Sequence, residues 1–542
     1  MNRFLNLIVK YRYLLYFLAV VPMFLTRDFT RNNELRYMSI AEEAIRNGSL
    51  FTFTNHGIHY ADKPPLYLWI VMAGKMIFGT HSMFFLALFS YIPALVILWI
   101  MGRWTRNVVS RQGRIAGELM LLTSVFFIGS AVVLRMDMLM NMFIVLSLYT
   151  FFRMYSGEEK RRDKWMFPVY VFMAIFSKGP VGILVPLVTT ITFLIVKRDF
   201  RAIAKYWGVR TLSVIIALCA VWFTSAYLEG GDEYINNLLF NQTINRAVDS
   251  FHHKEPFYYY MIAIWYSLAP WAFLIVGVLA TGLVKRIAST DLEKFFLTSL
   301  LSTFIMLSFV SSKIQIYMLP AFAFFVFMTV LWLPKFSGKL FARLLIGIPA
   351  ALFAVALPGA LIATLFIEEP LLKNGWVIAT AAVVSVTGAL ALGQLLSGRK
   401  KTDAAAAEKS LNRTIITMGA GLLAAIFTIS FFIPQYNPNI GMGAVSREAR
   451  AAAEEHGAMR YMYYNIPRAE NIDVYLGVLP QDVSKEELKE RIEAAATPDH
   501  EAAEERIILI LMQSELKKDP EIDRLLADKE KHPVGYFYYV VL

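Results

Sequence analysis

Cysteine and charged residues are both scarce in this chain of 542 residues. The single cysteine, Cys219, lies inside an apolar stretch, so the sequence excludes a disulfide framework and a metal site built from several thiolates. Only 18% of the residues are charged and 57% are hydrophobic, proportions that ordinary soluble globular proteins do not have. The composition therefore predicts a polytopic membrane protein.

Apolar runs recur along most of the chain and end near residue 433. A run of about 20 apolar residues is long enough to cross a hydrocarbon core. We therefore predict an α-helical membrane domain over residues 1–433, with about 13 transmembrane helices.

Lysine and arginine indicate the orientation, because cytoplasmic loops collect them. A cytoplasmic amino terminus places most basic residues inside, makes residues 27–80 the first outer loop and puts the carboxyl terminus outside. The formal charge of +11 then follows from this bias, so it does not require a nucleic-acid partner. Within the outer loop, residues 34–47 have the apolar spacing of an amphipathic helix lying on a membrane surface.

The polar tail, residues 434–542, is predicted to form a small extracytoplasmic α/β domain. Its pattern favours helices near 445–456 and 484–495 and a strand near 472–478. Two more strands are predicted in the stretches RIILILM and VGYFYYVVL.

Polar residues that are unusual for a membrane protein lie mainly on the predicted outer side. Each has an ordinary structural interpretation: Asp137 as a helix cap or the partner of Arg135, Lys178 as a snorkelling lysine, and tyrosine runs as an aromatic belt. Together they indicate a functional cavity, because ionisable groups near the hydrocarbon boundary are costly. Lysine and arginine with tyrosine hydroxyls suit a phosphate, and a nearby carboxylate suits a base or a cation ligand.

Several short motifs occur in an order that resembles a known superfamily. They are ELRY from Glu34, ADKPPLYLW from Ala61, KGP from Lys178, KEPFYYY from Lys254 and SKIQIYMLP from Ser312. Together they resemble the GT-C glycosyltransferases over about residues 27–335, most of all the lipid A aminoarabinose transferases and the protein O-mannosyltransferases. ADKPPLYLW is the most specific of these motifs.

The resemblance implies transfer of a sugar, with inversion, from a polyprenyl-phosphate carrier to an acceptor outside a bacterial inner membrane, without a nucleotide cofactor. It assigns Glu34 and Asp137 to the reaction centre and Lys63, Lys178 and Tyr317 to the phosphate. Further candidate substrate-binding residues are Arg36, Tyr37, Tyr60 and Lys313. Asp62 with His252 or His253 matches a divalent-metal site, with zinc as the expected metal.

The chain departs from the family at Asn33, where an Asp is usual. Because Asn cannot accept a proton from a hydroxyl, the base would be Glu34 or Asp28, or the acceptor would need none. An ionised acceptor phosphate needs none, which favours a lipid A-like acceptor. Transfer to a protein Ser or Thr is the alternative; a transporter or flippase is less favoured because no two-half symmetry is visible.

Overall fold

The computed structural model describes residues 2–239, 255–310, 313–367, 369–398, 403–457, 460–494 and 506–542. It is mainly helical. Up to residue 236 the α-helices are Asn2–Lys10, Arg12–Leu18, Val21–Thr26, Glu34–Asn47, Leu66–Phe78, Met83–Trp104, Arg111–Leu122, Val125–Val132, Asp137–Tyr155, Asp163–Lys178, Val181–Val196, Phe200–Trp207 and Val209–Asn236. The helices that follow, up to residue 430, are Tyr259–Ser267, Ala272–Val284, Asp291–Phe309, Leu319–Trp332, Leu340–Ala354, Ala356–Phe366, Gly375–Gly398 and Ala404–Ser430.

Among the described residues, seven helices are long and apolar enough to cross a membrane, and up to nine if each of two bent pairs is one span. The bent pairs are Arg111–Leu122 with Val125–Val132, at 66°, and Leu340–Ala354 with Ala356–Phe366, at 46°. Four more apolar helices are shorter, at 10–17 residues. The prediction of a polytopic helical membrane protein is confirmed, whereas the number of 13 spans stays a prediction.

The chain divides into two compact units. The first unit comprises residues 1–22, 61–67 and 84–430, and the second comprises residues 23–60, 68–83 and 431–542. The second unit thus combines most of the predicted first outer loop with the predicted α/β domain.

The second unit contains one five-stranded mixed sheet and a small hairpin. The hairpin strands are β1 (Thr54–Asn55) and β2 (Ile58–His59), and the sheet strands are β3 (Arg460–Tyr464), β4 (Gln481–Asp482), β5 (Ile507–Met512), β6 (His532–Val534) and β7 (Phe537–Val541). The sheet order is β4-β3-β5-β7-β6; β3 is parallel to both its neighbours, and β7 is antiparallel to both of its own. The helices after residue 430 are Ile433–Ile440, Gly443–His456, Asp473–Leu476, Lys485–Ala494, Gln513–Lys518 and Pro520–Leu525.

The predicted α/β domain is confirmed, but one strand assignment is wrong. Residues 472–478 form the end of a 3-10 turn and the helix Asp473–Leu476, which Gly477 ends in the left-handed conformation at φ 78°. Ile472 and Leu476 are both buried and lie four residues apart, which is the spacing of a helix. The segment is too short for this helical period to be distinguished from that of a strand, so the sequence was misinterpreted. Strand β3 was not predicted.

The predicted helix at 34–47 is confirmed as Glu34–Asn47, and Gly48 ends it at φ 68°. Its buried face packs within the second unit against the segment Ala469–Leu476. That face is therefore covered by protein, whereas the sequence predicted that it lies on a membrane surface.

Candidate active site

Asp137 is the centre of a charged cluster in the first unit. It begins the helix Asp137–Tyr155 and is fully buried. A carboxylate in the first turn of a helix interacts favourably with the positive end of the helix dipole. Its Oδ1 accepts a hydrogen bond from Lys178 Nζ, and its Oδ2 lies 3.1 Å from Arg135 Nε. Two cations from neighbouring segments thus meet one buried carboxylate.

The motif KGP explains how Lys178 reaches this position. Lys178 is the last residue of the helix Asp163–Lys178, and Gly179 ends the helix with φ 106° and ψ −150°, a conformation that only glycine adopts readily. Pro180 then precedes the next helix, Val181–Val196. The Lys178 side chain is only 8% exposed, so its charge needs the carboxylate beside it.

Two further predicted phosphate-binding residues lie at the same cluster. The Lys178 Nζ is 5.0 Å from the centre of the Tyr317 ring, a cation–π contact. Lys63 interacts electrostatically with the same carboxylate, more weakly than Lys178 and Arg135 do. The structure therefore brings together Asp137, Lys178, Tyr317 and Lys63, with Arg135 as the predicted partner of Asp137, and their role in phosphate binding stays a prediction.

Lys313 makes a different contact. It is 4% exposed, and its Nζ donates a hydrogen bond of 2.8 Å to the carbonyl of Glu255. The neighbouring Ile314 carbonyl accepts a hydrogen bond of 3.3 Å from the hydroxyl of the fully buried Tyr260. Lys313 thus ties two chain segments together, and its predicted role in substrate binding stays a prediction.

Glu34 belongs to the second unit and is fully buried. Its two carboxylate oxygens lie 2.7 and 2.8 Å from the guanidinium nitrogens of Arg27, a bidentate pair, and Oε2 also accepts a hydrogen bond of 2.7 Å from the Thr30 backbone. Sequence reasoning missed Arg27, because a partner seven residues away across an irregular turn has no periodic signal. In the structure Glu34 holds the start of its helix to the preceding segment.

Arg36 and Tyr60 are also in contact in the second unit. The Arg36 guanidinium lies 4.5 Å from the centre of the Tyr60 ring, and Tyr60 is 4% exposed. Tyr37 is likewise 4% exposed. Arg36 thus packs against the buried Tyr60, and a role in substrate binding for Arg36, Tyr37 and Tyr60 stays a prediction.

Asn33, which stands where the family usually has an Asp, and Asp28, the other candidate base, both contact residues of the second unit. Asn33 Oδ1 lies 3.4 Å from Arg468 Nη1. The carboxylate of Asp28 accepts hydrogen bonds of 2.9 Å from the Gly443 backbone and 2.7 Å from the Tyr475 hydroxyl. Asp28 therefore joins segments within the second unit, so using it as a base would disturb these contacts.

Of the residues predicted to bind a metal, only Asp62 belongs to the described residues. His252 and His253 lie outside the described residues, and Asp62 is half-buried. Within the described ranges no group of three or more His, Cys, Asp or Glu side chains could hold a metal ion. One carboxylate among the described residues is too few to define such a site, so the divalent metal stays a prediction.

Sequence reasoning also missed Asn141. It lies one helical turn after Asp137, on the same face of the helix, and is fully buried. Neither its amide oxygen nor its amide nitrogen has a hydrogen-bond partner among the described residues. Because a buried amide without partners is costly, Asn141 is a candidate for contact with a polar ligand.

Comparisons with known proteins match part of the sequence to one family and the fold to a solved structure. The sequence model of the family described as dolichyl-phosphate-mannose-protein mannosyltransferase matches residues 62–224, which include Lys63, Asp137 and Lys178. The fold matches that of ArnT from Cupriavidus metallidurans bound to undecaprenyl phosphate, with a TM-score of 0.73 and 16% identity, over 100% of this chain and 98% of that one. The chain therefore has the fold of that protein, and the fold that the resemblance in the sequence implied is confirmed.

Relatives by sequence include an arabinosyl transferase and an uncharacterized protein. The undecaprenyl phosphate-alpha-4-amino-4-deoxy-L-arabinose arabinosyl transferase of Edwardsiella ictaluri is 23% identical, over 60% of this chain and 59% of that protein. An uncharacterized protein of Aquifex aeolicus is 27% identical, over 54% of this chain and 56% of that protein. The chain thus spans less than two thirds of the length of these curated relatives.

Proposed function

We propose that this chain is a membrane glycosyltransferase that takes a sugar from a polyprenyl-phosphate carrier. The observation that carries the proposal is the cluster of Lys178, Arg135 and Lys63 around the buried Asp137. The matched family and the arabinosyl transferases are named for lipid-phosphate sugar donors, which supports this choice of donor.

The cluster suits stabilisation of a leaving phosphate. An acceptor oxygen bonds to the anomeric carbon while the bond from that carbon to the phosphate oxygen breaks, and the electron pair of the broken bond stays on the polyprenyl phosphate. Fixed cations placed where this charge develops lower the barrier. Asp137 holds Lys178 and Arg135 in position, and Lys63 and Tyr317 complete the phosphate site.

The acceptor favoured by the residues is a lipid of the lipid A type. With an ionised phosphate as acceptor no proton is removed, which suits a chain with Asn33 in place of an acid. A protein hydroxyl is the second candidate, favoured by the matched mannosyltransferase family. The site and the α/β domain are proposed to face the periplasm, on the side opposite the basic loops.

Sugar transfer from a radiolabelled undecaprenyl-phosphate sugar pool in membrane vesicles tests the proposal. Lys63→Ala and Lys178→Met should abolish transfer, whereas the control Lys75→Gln, which alters a lysine paired at 2.6 Å with Glu42, should retain it. Label in the lipid fraction supports a lipid acceptor, and label in protein supports the second candidate. Unimpaired transfer in both cluster variants would refute the site.

A divalent metal held by Asp62 with His252 or His253 remains part of the proposal. Elemental analysis of the purified protein should find about one zinc per chain, and Asp62→Ala should lower that amount. An equal metal content in wild type and variant would contradict it.

A further inference from the structure

A groove in the first unit combines an apolar floor with arginines at one end. It encloses about 770 Å³ between the amino-terminal helices, the helix Arg111–Leu122 and the helix Ala404–Ser430. This volume is within the roughly 300–1,000 Å³ of small-molecule sites. The groove is separate from the Asp137 cluster, none of whose residues line it.

Each of the three walls contains an arginine that is followed by apolar residues over the next turns. On the last wall Arg413 is followed at helical spacing by Ile416, Ala420, Leu423 and Phe427. From Arg413 to Phe427 this face is about 21 Å long at 1.5 Å per residue. The groove can therefore accommodate an extended chain whose polar end lies beside the arginine.

The helix Arg111–Leu122 has the same polarity, whereas on the amino-terminal wall Ile8 and Val9 also line the groove before Arg12. Arg111 is followed by Ile115 and Leu119, and Arg12 is followed by Leu15 and Leu18. Leu15 and Phe427 are 44% and 43% exposed, so the groove is open along its apolar length. Such a surface suits an amphiphile with one negatively charged end.

The charge at the polar end favours an anion. None of the described side chains that line the groove is acidic. The nearby Glu118 is fully buried and is bound by Arg12 at 2.6 and 2.9 Å. A second cavity, of about 240 Å³, adjoins Arg12 and is lined by Arg103, Arg106 and Arg114.

We propose that this groove binds an anionic glycerophospholipid, with its phosphate at Arg111 and Arg413 and one acyl chain along the apolar walls. Arg12, fixed by Glu118, positions the polar end. Because these arginines lie in the basic segments predicted to be cytoplasmic, the lipid would come from the inner leaflet. The site is independent of the proposed transfer reaction.

Native mass spectrometry of the purified full chain, titrated with phosphatidylglycerol or phosphatidylcholine of the same acyl chains, tests the proposal. Phosphatidylglycerol should bind more tightly, and Arg111→Gln with Arg413→Gln should weaken it by about fivefold for each arginine lost. The control Arg201→Gln removes the same charge from an exposed position outside the groove and should change nothing.

A second variant tests the apolar part without altering charge. Ala420→Trp fills the groove and should reduce phosphatidylglycerol binding, whereas Ala389→Trp, on an exposed position of the neighbouring helix, should not. Equal binding of the two lipids would overturn the proposal. Full displacement by glycerol phosphate would also overturn it, because it would indicate a site for a free phosphate.

Discussion

Removing the charge of Asp137 should destabilise the protein more than removing that of Lys178. In Asp137→Asn, Lys178 and Arg135 remain beside each other without the carboxylate, with side chains that are 8% and 27% exposed. Removing one partner from a buried ion pair costs about 3–5 kcal/mol, so a loss of this order in the free energy of unfolding is expected. In Lys178→Met the carboxylate keeps Arg135 at 3.1 Å, so the loss should be smaller, about 1–3 kcal/mol.

The double variant Asp137→Asn with Lys178→Met distinguishes structural from catalytic roles. It leaves Arg135 and Lys63 as the charged members of the cluster and removes the buried Lys178 charge, so it should recover at least about 1 kcal/mol relative to Asp137→Asn alone, because residues in one ion-pair network do not act additively. Transfer activity should not recover, since Lys178, one of the cations proposed to bind the leaving phosphate, is absent. Thermal unfolding in detergent and the vesicle assay give the two readouts. A double variant no more stable than Asp137→Asn would refute the inferred pairing.

Three other substitutions probe separate features of the structure. The hydrogen bond of 3.1 Å to Asp473 raises the pKa of His56 above its ordinary value of 6.5. The pair therefore stabilises the fold at low pH, and this contribution is lost as the pH rises through the raised pKa. The stability difference between wild type and His56→Gln, measured by thermal unfolding, should therefore shrink between about pH 5 and about pH 8; a constant difference would contradict the pairing. Asn141→Leu should stabilise the protein by about 1 kcal/mol while lowering transfer, because it removes an unsatisfied buried amide and a ligand contact; unchanged transfer would exclude that contact. Gly179→Ala should lower the free energy of unfolding by about 1–3 kcal/mol through backbone strain alone, because nothing lies within 4 Å of the added methyl group. It should also lower transfer by displacing Lys178. A variant as stable as the wild type would refute the strain.

The sequence predicted the membrane fold well, because long apolar runs and the alternation of apolar and polar residues both indicate it. The helix Glu34–Asn47 was located to the residue, since its apolar spacing and Gly48 both mark it. The number of spans was harder to predict, because the bent pairs and the short apolar helices make length an ambiguous criterion. Strand β3 was missed because its five residues are too few to show a reliable period.

The sequence indicated the position of the residues around Asp137 better than the contacts of Glu34, while the roles of both in the reaction stay predictions. Asp137, Lys178 and Tyr317 each follow from a short motif at a helix end, where the fold fixes the direction of the side chain. Arg27, the partner of Glu34, comes from an irregular segment, and the hydrogen bonds that Asp28 accepts join residues more than 400 positions apart. Such long-range pairs depend on the tertiary structure and have no local signal.

The pairing of Glu34 bears on the choice of acceptor. Both its carboxylate oxygens already accept hydrogen bonds from Arg27, and one accepts a further bond from the Thr30 backbone. A proton taken from an acceptor hydroxyl would weaken this bidentate pair inside a fully buried site, where an unpaired guanidinium is costly. Asp28, the other carboxylate considered as a base, is bound to Gly443 and Tyr475. An acceptor that is already ionised avoids the use of either carboxylate, so these contacts favour a phosphate-bearing lipid over a protein hydroxyl.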